Sequence, residues 1–387
     1  GRPPTGRAGL ADPGPMTAAD ERFMRRALEL AERGRGLTSP NPMVGAVVVT
    51  PAGEVAGEGA HLRAGGPHAE IEALGAAGGR ASGATLYLTL EPCTHPGRTP
   101  PCAPTIVAAG VRRVVAAIRD PNPFVAGRGF EVLRSAGIEV ASGILADAAA
   151  RQNRVFLTAM TARRPHVTLK AAMTLDGKIA DADGASRWIT GERARAHAHR
   201  LRREADAIVV GVGTVLRDDP RLTVRLDRPW PREPYRVVLD TNARTPDEAR
   251  FIRAGDPARA LVAVGEGAPA GRLGDLGAAG AGIIRCARRD GRVDLDALLE
   301  ALFARDVRAV LVEGGGEVHA AFLEAGLVDR VAIYVAPLLV GGRAAPTPVG
   351  GAGRELKRAV RLGAFEVTPL GDDILLEADV LRDARES

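Results

Sequence analysis

In the stretch HAEIEALGAAGGRASGATLYLTLEPCTHPGRTPPC, one imidazole and two thiols, His68, Cys93 and Cys102, accompany a carboxylate, Glu70, two residues past the histidine. The chain has three cysteines, and two of them each follow a proline with only THPGRTPP between them. A His/Cys/Cys set suits zinc, and three protein ligands leave a tetrahedral zinc one open position, as a catalytic site needs. Water at that position has its pKa lowered toward about 7. Glu70, outside the ligand set, is placed to take that proton and deliver it to a ring nitrogen and then to a leaving amine. A structural zinc would instead want a fourth strong ligand, for which His61 and His95 are the candidates. Cys93 follows LEP and Cys102 precedes APTIVAAG, both where short loops meet helix starts, and a helix N-terminus stabilises a thiolate.

These residues need a frame. TAADERFMRRALELAERG predicts a helix capped by Thr17 with Asp20 three residues on; Met24, Ala27, Leu28 and Ala31 form one face and Gly34 ends it. VGAVVVTPAGEVAGEG predicts a hairpin, HAEIEALGAAGG a helix and ATLYLTL a buried strand. APTIVAAG, RRVVAAI, RGFEVLRSAG and IEVA continue as helix, strand, helix and strand. Such alternation implies a three-layer α/β domain with a partly parallel sheet, spanning 16–145. Residues 1–15, GRPPTGRAGLADPGP, read as a disordered leader, with Met16 the natural beginning. DAAARQNRVFLTAMTARRP predicts a bridging helix and linker over 146–164. A second α/β series fills 165–387, from strand HVTLKAAM and helix ERARAHAHRLRREA through AIVVGVG, YRVVLD, LDALLEALFARD and AVLVEGG to EVHAAFLEAG, RVAIYVAP and the hairpin-like FEVTPLGDDILLEADVL. Residues 243–290 carry no motif, and the halves share none.

Two glycine clusters in the second half bear on nucleotide binding. GVGTVL at 211 and GGGEVH at 314 both lack the third small residue of a dinucleotide fingerprint, and there is no Walker loop. VLVEGGGEVHAAFLEAGL is nevertheless a strand, three glycines and a helix, and bare backbone amides at a helix N-terminus suit a pyrophosphate.

The first site resembles the zinc-dependent nucleobase deaminases, with their H-x-E…P-C-x-x-C signature. The departure is the longer insert between the cysteines, CTHPGRTPPC. That insert, with SPNPMVG, GEGAHLRAGGPHAE, TLEPCTHPGRTPPC and RDPNPFVAGRGFEVLRSAGI, resembles the pyrimidine deaminase of riboflavin biosynthesis over residues 16–160. The resemblance implies a cytidine-deaminase-like α/β/α fold, with Asn41, His61 and His95 contacting substrate and Arg98 facing its phosphate. LKAAMTLDGKIA, SRWITG, GVGTVLRDDPRLTVR, VLDTNAR and LVEGGGEVHAAFLEAGLVD resemble the reductase half of the same bifunctional family, over 165–380. That half implies a dihydrofolate-reductase-like α/β fold using NADPH. By the same match Ser186, Arg202, Leu222 and Arg225 hold substrate, the arginines clamping phosphate, and Glu313 meets it. Ala172, Trp188, Thr214, Asp218, Thr241 and the run Gly315, Gly316, Glu317, Val318, His319, Ala320 and Ala321 line the cofactor. Lys170 and Asp218 are the candidates for proton handling. The reaction pair implied is deamination of 2,5-diamino-6-ribosylamino-4(3H)-pyrimidinone 5′-phosphate, then reduction of the ribosyl group to ribityl, in a homo-oligomer joined through the reductase half.

Composition limits the alternatives. The net charge of +5 is carried almost wholly by arginine, the lysines being Lys170, Lys178 and Lys357. Aromatics are only 3%, too few for base-stacking platforms, and with no basic block this argues against nucleic acid as a partner. Phosphorylated small molecules fit the arginines better. No apolar run reaches the ~20 residues of a membrane span, and no signal peptide is evident, so a cytoplasmic chain with reduced thiols is expected. Cys286 then reads as a small buried hydrophobe. A deaminase acting on cytidine or tRNA adenosine with an unrelated appendage is the nearest rival. A catalytically dead scaffold would have lost Glu70 or a zinc ligand, and all are present.

Overall fold

The computed structural model describes residues 17–94, 100–122 and 125–382. The expected leader, His95 and Arg98 lie outside them. Two compact units divide the chain between Ala162 and Arg163.

The first unit runs α1 (Ala18–Ala31), β1 (Gly45–Val49), β2 (Val55–Ala60), α2 (Ala69–Ala77), β3 (Thr85–Leu90), α3 (Cys102–Ala108), β4 (Arg113–Ile118), α4 (Arg128–Ser135), β5 (Glu139–Ser142), α5 (Ala146–Gln152) and α6 (Arg154–Ala162). Its sheet has the order β2-β1-β3-β4-β5. The β1–β2 and β1–β3 pairs are antiparallel, and β3, β4 and β5 are parallel. The strands are buried on both faces. Val47, Val49, Tyr87 and Val115 pack with Phe23, Met24 and Ala27 of α1, while Ala46, Val48, Leu86 and Leu88 pack with α2, α3 and α4. Thr17 and Asp20 form the expected capping box. Buried Asp20 also accepts hydrogen bonds from Tyr87 Oη and Arg113 Nη1, both at 2.7 Å, which ties α1 to β3 and β4.

The expected single helix after residue 146 is two helices. The break falls at Asn153, whose side chain is taken by another partner: its Oδ1 accepts from Met43 N at 2.8 Å and its Nδ2 donates to Met43 O at 2.9 Å. Both helices pack within the first unit, Ala149 of α5 in the α1 cluster and Phe156 of α6 against the α2 cluster.

α2 lies almost backbone to backbone on β2. A Cβ on Gly59 would strike Ala69 O and Ala73 N, and one on Gly57 would strike Ala73 O and Ala77 N. Gly59→Ala therefore has to lift the helix that begins at His68, and overpacking of this kind costs about 1–3 kcal/mol. We expect a lower first-unit melting transition and less zinc retained per chain on dialysis.

The second unit runs β6 (His166–Thr174), α7 (Glu192–Glu204), β7 (Ala207–Gly211), α8 (Val212–Asp218), β8 (Tyr235–Leu239), α9 (Arg250–Arg253), β9 (Ala260–Gly265), α10 (Ala270–Ala278), β10 (Gly282–Cys286), β11 (Arg288–Arg289), β12 (Arg292–Val293), α11 (Leu295–Phe303), β13 (Ala309–Val312), α12 (Gly316–Glu324), β14 (Arg330–Ala336), β15 (Glu366–Leu370) and β16 (Asp373–Asp379). Its nine-stranded sheet has the order β10-β9-β8-β7-β13-β6-β14-β16-β15. The first seven strands are parallel, and β16 and β15 add antiparallel. The motif-free stretch 243–290 builds α9, β9, α10 and β10, one whole wing of this sheet. The strand expected over AIVVGVG stops at Gly211, where α8 begins at once. The carboxyl ends of β6, β7 and β13 open on one edge, the place where parallel α/β sheets bind ligands.

Candidate active sites

In the first unit, His68 is the N-cap of α2, which puts Glu70 in the first helical turn and buries it. Cys102 opens α3, and Cys93 lies against that helix start: Cys102 N donates to Cys93 Sγ at 3.4 Å and Ala103 N to Cys93 O at 3.1 Å. His68 Nδ1 lies 3.1 Å from Cys102 Sγ and 3.7 Å from Cys93 Sγ. All three donor atoms fall within 4.8 Å of one another. A tetrahedral zinc sets its nitrogen and sulfur ligands about 3.5 Å apart, so the donor types and their spacing both fit that metal. Among the described residues no other His, Cys, Asp or Glu group converges in this way. The hydrogen bond from the Cys102 thiol, with His68 beside it, pulls the Cys93 thiol down to about 4. That same contact and burial push Cys102 up. Cys93 likewise raises His68. Glu70 is raised by burial, against the opposing pull of His68.

A cavity of about 250 Å³ opens over these groups, walled among others by Asn41, His61, Glu91, Asp120, Asn122 and Phe156. His61 Nδ1 donates to Pro67 O at 2.9 Å, which leaves Nε2 to accept from Asn41 Nδ2 at 3.1 Å. Burial keeps this imidazole neutral by lowering its pKa. Asn41 and His61 thus form one hydrogen-bonded pair on the pocket wall, and the His61 ring meets His68 edge-on at 5.4 Å.

In the second unit, Lys170 of β6, Arg202 of α7 and Glu313, at the carboxyl end of β13, come together. Arg202 holds Glu313 with two bonds, Nε to Oε1 at 2.8 Å and Nη2 to Oε2 at 2.7 Å, and its Nη1 donates to Thr223 O at 3.0 Å. Burial would raise the Glu313 carboxyl, but Arg202 holds it down at about 2. Lys170 is lowered by burial, Glu313 acting against this. Arg225 donates its backbone N–H to His199 Nδ1 at 3.2 Å, and burial with the charges of Arg202 and Arg225 takes His199 down to about 4.

The glycine run behaves as a helix start. Gly315 caps α12 with no side chain on the first amides. A Cβ on Gly314 would strike Val318, so a glycine there lets strand and helix close together. Beyond it the side chains turn inward. His319 and Ala320 are buried, His319 Nδ1 donating to Pro348 O at 2.7 Å, and Ala321 and Val318 pack against the core. Leu222 is buried in the α9–α10 core with a left-handed backbone. Trp188 is 67% exposed, with Arg195 over its ring at 4.6 Å. Thr241 Oγ1 accepts from Val293 N at 3.2 Å, and the Asp218 carbonyl from Arg187 at 2.9 Å. Ala172, Ser186 and Thr214 are half-buried, and Glu317 is exposed.

Residues 17–118 match the cytidine and deoxycytidylate deaminase zinc-binding region, and residues 165–376 match the RibD C-terminal domain. The riboflavin biosynthesis protein RibD of Actinobacillus pleuropneumoniae is 42% identical over 94% of this chain and 96% of its own length. That of Escherichia coli is 41% identical over 92% of this chain and 98% of its own. The chain belongs to the RibD family. Among solved structures, Acinetobacter baumannii RibD superposes with a TM-score of 0.84 at 40% identity, covering 94% of this chain and 99% of that one. A Thermotoga maritima diaminohydroxyphosphoribosylaminopyrimidine deaminase / 5-amino-6-(5-phosphoribosylamino)uracil reductase gives 0.80 at 37%, with the same coverages. As a RibD-family chain the protein is a deaminase and a reductase in one polypeptide, with zinc serving the first activity and NADPH the second.

The geometry adds residues to the RibD frame that sequence reasoning passed over. Buried Glu91 accepts from four backbone amides, those of Asp120 (3.1 Å), Gly127 (3.0 Å), Gly129 (3.0 Å) and Phe130 (3.4 Å). It thereby fixes the loop that carries Asp120 and Asn122 to the strand end that carries Cys93. Asp120 itself is raised to about 6, by burial first and then by Glu91. His199 is the other omission. It stands three residues before Arg202, one helical turn away on the same face, and that spacing was available in the sequence.

Proposed function

We propose that this chain deaminates 2,5-diamino-6-ribosylamino-4(3H)-pyrimidinone 5′-phosphate in its first unit and reduces the ribosyl group of the product, 5-amino-6-(5-phosphoribosylamino)uracil, to ribityl in its second. The observation that carries the reading is Glu70, buried beside three convergent N/S/S donors yet outside their group. His68, Cys93 and Cys102 would hold the zinc. A zinc ion there supplies a Lewis acid with one open position, and with it hydroxide at neutral pH. Glu70, whose carboxyl is raised by burial, takes a proton from the attacking water and places it on the pyrimidine ring nitrogen; it then takes the hydroxyl proton at the attacked carbon and passes it to the amine, which leaves as ammonia. The Asn41–His61 pair presents fixed hydrogen-bonding groups to the ring. His95 and Arg98 belong to the same substrate set by family match.

In the second unit, a bound NADPH would supply the hydride that reduces C1′ of the opened ribosyl group. The uncapped amides at the start of α12 suit its pyrophosphate. Ala172, Trp188, Thr214, Asp218, Thr241 and residues 315–321 complete the cofactor surface by family match, with Gly315 and Gly316 contributing backbone rather than side chain. Lys170 is the proton-handling group, since it is half-buried and adjoins Glu313. Ser186, Leu222 and Arg225 hold the substrate. Arg202 spends Nε and Nη2 on Glu313 and Nη1 on Thr223 O, whereas Arg225 is exposed and its guanidinium meets the neutral His199 ring through Nε and Nη2, so Arg225 is the better placed phosphate ligand. The exposed edge strand β15, with Phe365 just before it and Val367 within it, supports self-association through this half. No helix among the described residues is long and apolar enough to cross a membrane, and we place the enzyme in the cytoplasm.

The test is to incubate the protein with the diaminopyrimidine ribotide and follow ammonia and NADPH separately. Ammonia is expected without NADPH, and NADPH oxidation only after deamination. Removing zinc with a chelator should stop ammonia release and leave oxidation intact when the deaminated intermediate is supplied. NADPH oxidation on the undeaminated ribotide would contradict the proposed order.

A further inference from the structure

Lys170 and Ala172 share one face of β6, and across the parallel ladder they pair with Ala332 and Tyr334 of β14. Lys170 therefore has a small residue opposite and the tyrosine on the diagonal, within reach of a long side chain. Its Nζ lies 5.5 Å from the centroid of the Tyr334 ring, inside the range of a cation–π contact. The ring is fully buried, walled by Ala194 of α7, Ala332 and Leu375. Its hydroxyl sits 2.9 Å from His197 Nδ1. Burial keeps His197 neutral and raises the Tyr334 phenol, so the two are joined by an uncharged hydrogen bond.

We propose that Tyr334, anchored by His197, is a positioning residue that holds the Lys170 amine in place and in its ammonium form. The proposal rests on the reading of Lys170 as the proton-handling group. The lysine is pulled in both directions. Burial and Arg202 disfavour its charge, and Glu313 favours it while dividing its own charge with Arg202. His199 of α7 and His319 of α12 also face Lys170. Glu377 of β16 and Arg200 and Glu204 of α7 act on His197, and the two glutamates also on Tyr334. Only the ring combines a fixed position with attraction for a cation and no charge of its own to be neutralised by a neighbour. His197 and His199 lie two apart on α7, so one faces the tyrosine and the other Arg225. A single helix thus orients both the tyrosine and the arginine face.

The chain's lysine content makes the test direct. With only Lys170, Lys178 and Lys357, selective 13C labelling of lysine gives three side-chain signals, and Lys170→Met assigns one of them. The full chain is titrated by NMR as wild type, Tyr334→Phe, Tyr334→Leu and His197→Ala. Tyr334→Phe, which keeps the ring, should leave the Lys170 midpoint within a few tenths of a unit. Tyr334→Leu, which keeps the burial and removes the ring, should lower it by about 0.5–1.5 units. His197→Ala, which leaves the ring present but unanchored, should lower it by less, and carries the test if the leucine variant does not fold. An unchanged midpoint in the ring-free and unanchored variants overturns the proposal. Lys170→Met that still oxidises NADPH with the deaminated intermediate sinks the proton-handling reading instead, and the titration judges Tyr334 separately.

Discussion

Glu70→Gln is expected to keep zinc at one per chain, to abolish ammonia release, and to leave NADPH oxidation with the deaminated intermediate unchanged. The amide preserves the volume and polarity of a buried carboxyl in the first turn of α2, so packing gives little reason for the helix to move. His68, Cys93 and Cys102 form the donor group without it, so metal should stay. What is lost is the group that accepts and returns a proton. An amide does neither, and a positioned general acid–base is worth about 10²–10⁴-fold in rate. Zinc content by elemental analysis, ammonia by a coupled assay and NADPH by absorbance separate the three outcomes. Loss of zinc with activity would make Glu70 a structural support. Loss of both activities would contradict two independent sites.

How much of this was legible in the sequence follows from what each residue depends on. The zinc group and Glu70 could be read because their chemistry lives in residue types at short spacings: H-x-E on one helix start, and two Pro-Cys steps either side of a loop. The three-layer frame was legible because strands buried on both faces are apolar throughout and alternate with helices. Glu91 was not, since its role is to accept amides from residues 29 to 39 positions downstream, which no local pattern announces. The break at Asn153 depends on Met43, 110 residues away. The α9–β10 wing passed unnoticed because AGDPARALVAVGEGAPAGRLGDLGAAGAGIIRC is dominated by alanine and glycine. Their short side chains give little contrast between an apolar and a polar face and leave weak periodicity. Family resemblance is the source of the expectation that residues 315–321 line the cofactor. It could not say that His319 and Ala320 turn their side chains into the core.

Arg202 separates resemblance from geometry most sharply, and its substitution should have the second-largest effect. The guanidinium has 14% of its side chain exposed and Glu313 has 8%, and they are joined by two short bonds. Arg202→Met fills similar space with apolar atoms and leaves the carboxylate buried without its partner. Breaking a buried pair from one side costs about 3–5 kcal/mol. The Glu313 carboxyl, held at about 2 in the folded wild type against an ordinary 4.5, should rise in the variant and take up a proton. The sign of the wild-type pH dependence follows. A depressed carboxyl pKa gives stability that is fully present above about 4.5 and is lost as pH falls toward 2. Arg202→Met should remove that acid-dependent stability and lower the second unit's denaturant midpoint at neutral pH. Adding Glu313→Gln should recover most of the midpoint, because the buried charge is gone, but should not recover NADPH oxidation, because Lys170 has lost the carboxylate beside it. If Arg202 were chiefly a phosphate ligand, the single variant would instead raise the KM for the phosphorylated substrate with the unfolding midpoint unmoved. A normal midpoint with a raised KM would thus return Arg202 to the phosphate clamp and leave Glu313 stabilised by Lys170 alone.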